Sequence, residues 1–135
     1  MKYLLDTNVI IDLLRNPDGP VAQRLAEAGG ISFCAVADIT LYELYSGAWM
    51  SKDPQGNIVL IDKLKEWLEI IPVSECYLEA SKQKVRLKKL GQKIEDIDIL
   101  IGSTAIVAER ILVTGNTKHM GKLIGISLTD WNTDK

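Results

Sequence analysis

An apolar run that breaks at three polar residues and resumes in a different rhythm constrains this chain more than any other feature. From Tyr3 the sequence reads YLLDTNVIIDLL to Leu14. Apolar residues stop at Asp6, Thr7 and Asn8, then return as Val9, Ile10, Ile11, Leu13 and Leu14. A continuous run followed by helical spacing is a buried strand feeding a helix. The strand is expected over about Lys2–Asp6 and the helix over about Val9–Arg15, stopped by Asn16 and Pro17. Ligands of open α/β sheets bind at the carboxyl ends of strands. Asp6 stands at such an end with no cation beside it in sequence, which favours a metal ligand over an ion-pair partner. The competing reading is a helix cap, by Thr7 or Asn8 more readily than by Asp6, which falls one place early.

The same alternation runs through the chain. Val21–Ala28 is a short helical pattern stopped by Gly29 and Gly30, and Ile31–Ala37 an apolar, partly β-branched strand. Asp38 or Thr40 is positioned to cap the helix that carries Leu41, Leu44 and Tyr45. A polar loop over Lys52–Asn57 precedes helix Ile58–Leu68 and strand Ile70–Val73. Helices over Cys76–Leu90 and Ile97–Arg110 follow, then short strands at Ile111–Val113 and Ile126–Leu128. Strands alternating with helices specify a parallel sheet covered on both faces. The expected fold is a three-layer α/β/α sandwich, and 135 residues without a repeat or linker make a single domain spanning 1–135.

Totals exclude several classes. A net charge of −2 does not fit a strongly basic nucleic-acid binder, though it leaves room for an enzyme with local patches. Cys34 and Cys76 lie far apart with His119 the sole histidine, which excludes a zinc ribbon and disfavours a disulfide scaffold. No apolar stretch reaches the roughly 18 residues of a membrane helix. The opening MKYLLD already reads as the first strand rather than a secretion signal, so the expected location is cytoplasmic.

Two further carboxylates occupy comparable places. Glu43 lies within DITLYELYSGA on a largely apolar helix, where a glutamate is either a wet residue at the edge of the apolar face or part of a site. Asp98, in IEDIDILIGSTA, precedes Ile99, Leu100 and Ile101 where the helix turns inward. It is either a first-turn aspartate favoured by the helix dipole or a ligand. The strand ending at Val113 runs into Thr114, Gly115 and Asn116, a turn or a second polar strand end.

In their order and spacing, Asp6-Thr7-Asn8, Glu43, Asp98 and Thr114-Gly115-Asn116 resemble the PIN-domain nucleases, and among them the VapC-type toxins of toxin–antitoxin pairs. The likeness extends through LLDTNVIIDLL, ITLYELYSGA, IEDIDILIGSTA and ILVTGNTKHMGKLIGISLTDW, essentially the whole chain. It implies a metal-dependent endoribonuclease with Asp6, Glu43 and Asp98 as the acidic site, and Asp6 and Asp98 on the metal. Thr7, Asn8, Thr114 and Asn116 would support it. Asn116 stands where the wider family often has Asp, and Gly102 and Ser103 where many relatives carry two alanines. The resemblance further implies an antitoxin protein as partner, an RNA substrate and a homodimer.

Physical chemistry agrees with the metal. Three carboxylates brought within ~5 Å repel pairwise by roughly 3 kcal/mol at an effective dielectric of about 20. Oxygen ligands without Cys or His select Mg²⁺, with Mn²⁺ as substitute. No Ser/His or Cys/His pairing competes, and His119 reads as a surface residue. Lys84, Lys88 and Lys89 on the basic helix, and Lys118 beyond the last turn, are either a solvated face or contacts to RNA phosphates. A phosphoacceptor receiver domain is the alternative of different class; a PIN-fold nuclease of RNA processing is the alternative within the same class.

Overall fold

The protein is described by a computed structural model that covers residues 2–132. Five strands form one sheet: β1 (Tyr3–Leu5), β2 (Cys34–Ala37), β3 (Glu69–Ile71), β4 (Ile111–Val113) and β5 (Leu128–Thr129). Their order across the sheet is β3-β2-β1-β4-β5 and every neighbouring pair is parallel. Seven helices cover it: α1 (Thr7–Arg15), α2 (Pro20–Glu27), α3 (Asp38–Trp49), α4 (Pro54–Trp67), α5 (Tyr77–Lys89), α6 (Asp96–Val107) and α7 (Thr117–Met120).

Strand alternation divides the core. Leu4, Ala35 and Leu112 pack with Ala80, Leu87, Ile101 and Ala105 of α5 and α6. Their neighbours Leu5, Val36 and Val113 pack on the opposite side with Ile10, Leu44 and Ile61 of α1, α3 and α4. Side chains of successive strand residues point to opposite faces, so this is the expected α/β/α sandwich. The strand order excludes a receiver domain, which requires 2-1-3-4-5. Here the order reverses beside β1, and the crevice between the carboxyl ends of β1 and β4 is the topological switch point at which such sheets bind ligands.

Several boundaries differ from the sequence expectation. Helix α1 begins at Thr7 rather than Val9, because Asp6 itself is the cap and its side chain accepts from the Thr7 amide. Neither Asp38 nor Thr40 caps α3, whose N-cap position is Ala37. The Asp38 carboxylate instead accepts from the Val73 amide at 3.0 Å, and Thr40 is fully buried. The segment expected as a loop up to Asn57 is the first turn of α4. Pro54 supplies a fixed φ at the first helical position, and Asp53 accepts from the Gly56 amide at 3.1 Å. A Cβ on Gly56 would fall 2.1 Å from Asp53 Oδ2, so the Asp53 carboxylate would have to shift to keep that cap with a larger residue there. The first half of Ile31–Ala37 is a 3₁₀ turn, Ile31–Phe33, before β2. Strand β3 stops at Ile71, Pro72 intervenes, and Val73–Cys76 forms another 3₁₀ turn. Helix α6 ends at Val107, and Glu109 with φ 55° turns the chain into β4.

Candidate active site

The carboxyl ends of β1 and β4 are tied together at Asp6. Its amide donates to the Val113 carbonyl at 3.0 Å, continuing the ladder one residue past β1. Its side chain is 6% exposed and both oxygens are engaged. Oδ1 accepts from the Thr7 amide at 2.8 Å, and Oδ2 from the Thr114 hydroxyl at 2.7 Å. Asp6 is therefore the cap of α1 through one oxygen and is tied to the end of β4 through the other. Thr114 in turn accepts from the Asn116 amide at 3.0 Å. Thr7 donates its hydroxyl to Glu43 Oε1 at 2.5 Å, which brings α3 to the same point. Glu43 is half-buried, so it is neither a solvated edge residue nor an unpaired charge.

Asp98 enters from the first turn of α6. Burial, and after it the charges of Asp6, Glu43 and Glu95, pushes its carboxyl above the usual carboxylate range, against an opposing pull from His119. Asp6, Glu43 and Asp98, from three separate elements, thus share one electrostatic neighbourhood. Glu43 and Asp98 open into a cavity of about 730 Å³ whose wall includes Lys93, the 94–97 segment, Asn116 and His119. Asp6 is not among the residues that line it.

Asn8 is exposed and has no hydrogen bond to any of these groups among the described residues. Lys84 is exposed and pairs with Asp96 at 2.9 Å. Lys84 and Lys88 line an adjacent depression of about 350 Å³ that meets the acidic cavity at Lys93 and Ile94; Lys89 and Lys118 line neither. Two wall residues carry no clear signal in the sequence. Lys93 reads as the end of a charge run, and His119 as a surface residue. His119 is exposed, yet its Nδ1 lies 3.0 Å from Asn116 Oδ1 at the cavity wall. The four-residue helix α7 that presents it is too short to leave a periodic signal.

The donors suit one kind of ion. Among the described residues no three His, Cys, Asp or Glu side chains are arranged to enclose a metal. What the site offers is carboxylate oxygen in an environment that disfavours negative charge at Asp98, with an open cavity for water. That fits a hard cation retaining most of its hydration shell, held by one or two carboxylates, as Mg²⁺ is; it does not fit a caged zinc. Cysteine chemistry is remote: burial pushes the Cys34 thiol up to about 11 and also raises Cys76, so neither is an ionised nucleophile.

A parallel sheet of order 3-2-1-4-5 with acidic groups converging at its switch point defines a recognisable class. The PIN domain family model matches residues 3–122, and the chain belongs to the PIN-domain family. Its likeness within the family is to VapC proteins. It is 30% identical over 132 residues to Ribonuclease VapC1 of Haemophilus influenzae (strain R2866), covering 97% of this chain and 98% of that protein. It is 26% identical to the tRNA(fMet)-specific endonuclease VapC of Shigella flexneri, covering 98% and 99%. A chain in the crystal structure of VapBC2 from Rickettsia felis, bound to a DNA fragment from their promoter, matches with a TM-score of 0.86 and 27% identity, covering 97% of this chain and 99% of that one. No helix among the described residues is long and apolar enough to cross a membrane.

Proposed function

We propose that this protein is a Mg²⁺-dependent endoribonuclease acting as the toxin of a toxin–antitoxin pair. The observation that carries the reading is Asp98, a carboxyl displaced upward by burial and by Asp6 and Glu43 on the edge of an open acidic cavity at the switch point. The names of full-length relatives, Ribonuclease VapC1 and tRNA(fMet)-specific endonuclease VapC, support RNA as substrate. The VapBC2 complex from Rickettsia felis supports an antitoxin as partner. A homodimer is part of the same proposal.

Asp6 and Asp98 would hold the ion, and Glu43 would border it. Bound there, Mg²⁺ would supply charge neutralisation at the phosphate and acidify a coordinated water. The chain's own contribution is preorganisation. Thr114 and the Thr7 amide fix both Asp6 oxygens, so the carboxylate cannot rotate without breaking two hydrogen bonds. Thr7 orients Glu43 as an acceptor, leaving its second oxygen free to take a proton from a water aimed at phosphorus.

The test is cleavage of a mixed-sequence RNA by the purified protein with Mg²⁺, with EDTA, and by Asp98→Asn. Cleavage that requires Mg²⁺ and is lost in the variant is expected. Unchanged cleavage by Asp98→Asn, or equal activity in EDTA, would refute the site. Release of growth arrest only when a small protein encoded beside it is co-expressed would meet the expectation for the toxin role.

A further inference from the structure

His119 lines the acidic cavity, and a chain of hydrogen bonds links it to Asp6. Its Nδ1 lies 3.0 Å from Asn116 Oδ1. The Asn116 amide donates to Thr114 Oγ1 at 3.0 Å, and Thr114 donates to Asp6 Oδ2 at 2.7 Å. One ring nitrogen is thus fixed to the scaffold that orients Asp6, while Nε2 has no hydrogen-bond partner among the described residues. The segment that follows α7 is anchored to the core and to α5. Met120 and Leu123 are buried. Gln83 of α5 donates to the Ile124 carbonyl at 2.9 Å and accepts from the Ile124 amide at 3.1 Å. Arg86 donates to the Lys122 carbonyl at 2.5 Å. A surface imidazole without function needs none of this.

The cavity poses an electrostatic problem that His119 and Lys93 address. Its wall carries Glu43, Glu95, Asp96 and Asp98 against those two bases alone. A polyanion entering must find local cations, and Lys84 on the neighbouring helix is already paired with Asp96.

We infer that His119 Nε2 and Lys93 Nζ are the contacts that receive a phosphate of the RNA backbone in the acidic cavity, with Asn116 a positioning residue that sets the imidazole. The inference rests on the nuclease reading above and moves the substrate path from the exposed face of α5 to the mouth of the cavity. Both contacts grip phosphate, so they carry affinity and register without reading bases.

The experiment measures affinity for a single-stranded mixed-sequence oligoribonucleotide against salt, with EDTA present so that nothing is cut. His119→Gln and Lys93→Ala should each weaken binding about tenfold, the loss of one charge-assisted hydrogen bond. Each should also flatten the plot of log affinity against log salt by roughly 0.7, the release from one single-strand phosphate. Asn116→Ala should weaken binding, and His119→Gln with Asn116→Ala should lose no more than His119→Gln alone, since one acts through the other. A merely structural role would lower the melting temperature and leave the salt slope unchanged. Slopes for both single variants superimposable on wild type would overturn the inference, as would a slope change confined to a Lys84, Lys88, Lys89 triple alanine variant. Separate cleavage assays with Mg²⁺ keep the two readings apart. Wild-type cleavage together with unaffected binding by the variants sinks only the phosphate contacts, whereas no cleavage by wild type sinks the nuclease.

Discussion

Replacing Thr114 by valine probes the joint on which the site depends. The side chain is 1% exposed, and valine has nearly the same shape, so packing is preserved and the hydroxyl alone is removed. Two hydrogen bonds are lost, Thr114 to Asp6 Oδ2 at 2.7 Å and the Asn116 amide to Thr114 at 3.0 Å. The first is to a buried carboxylate, and hydrogen bonds to charged groups are worth about 1.5–3 kcal/mol. The second leaves a partly exposed amide that water can satisfy, so it adds little. A loss of about 2 kcal/mol follows. For 135 residues, about 2.1 cal/mol/K each gives an unfolding entropy of roughly 0.28 kcal/mol/K, so 2 kcal/mol lowers Tm by about 7 °C. Thr114→Ser keeps the hydroxyl and trims a methyl, at about 1 kcal/mol or roughly 4 °C. Thermal melts of the metal-free proteins read the difference. A valine variant that melts with the serine variant or above it would refute the claim that Thr114 holds Asp6.

Asp98→Asn should stabilise the metal-free protein at neutral pH. A carboxyl raised in the folded state costs stability while ionised and recovers it as pH falls through its folded value, so the advantage of the Asp98→Asn variant should shrink towards about pH 4; a gap in Tm that is constant with pH would contradict this. Mg²⁺ at a hundredfold its dissociation constant should raise wild-type stability by about 2.7 kcal/mol, roughly 9 °C, and Asp6→Asn or Asp98→Asn should abolish most of that shift. Equal shifts in all three proteins would place the ion elsewhere. Gln83→Met removes both bonds to Ile124 while keeping side-chain volume, and should lower Tm by about 7 °C and speed hydrogen exchange at the Ile124 amide. Unchanged exchange there would mean that the Gln83 bonds do not hold Ile124 in place.

What was legible in the sequence divides along physical lines. Strand β1 and the layering rest on local rhythm, which survives translation into structure; Asp6 stood out at a strand end, whereas Glu43, inside a helix, and Asp98 were singled out by the resemblance to PIN-domain nucleases. Local rules misplaced boundaries where a side chain made a non-local choice. The Asp38 side chain, at the start of α3, accepts from the distant Val73 amide instead of capping its own helix. Pro54, Gln55, Gly56 and Asn57 have poor helix propensity as a group, yet Asp53 and the fixed φ of Pro54 start α4 there. Asp6 came one place early for a cap only because the helix was expected to begin at Val9. The pairing of β1 with β4 was not legible, since neither strand carries a mark of its neighbour. Without that pairing, the bond from Thr114 to Asp6 and the place of His119 were out of reach. Lys93 was hidden by its company, one more positive charge after a basic helix.

The order of the strands has a consequence for how the protein is made. Strand β1 leaves the ribosome before the other four strands, yet one of its two edges waits for β4, and the hydroxyl that fixes Asp6 lies 108 residues downstream of it. A growing chain that has already produced Asp6, Glu43 and Asp98 holds every acidic residue of the site and still lacks the strand that gathers them. Closing so long a loop is slow compared with forming helices. Assembly of the acidic site thus becomes a late event of biosynthesis, arriving only when β4 docks against β1.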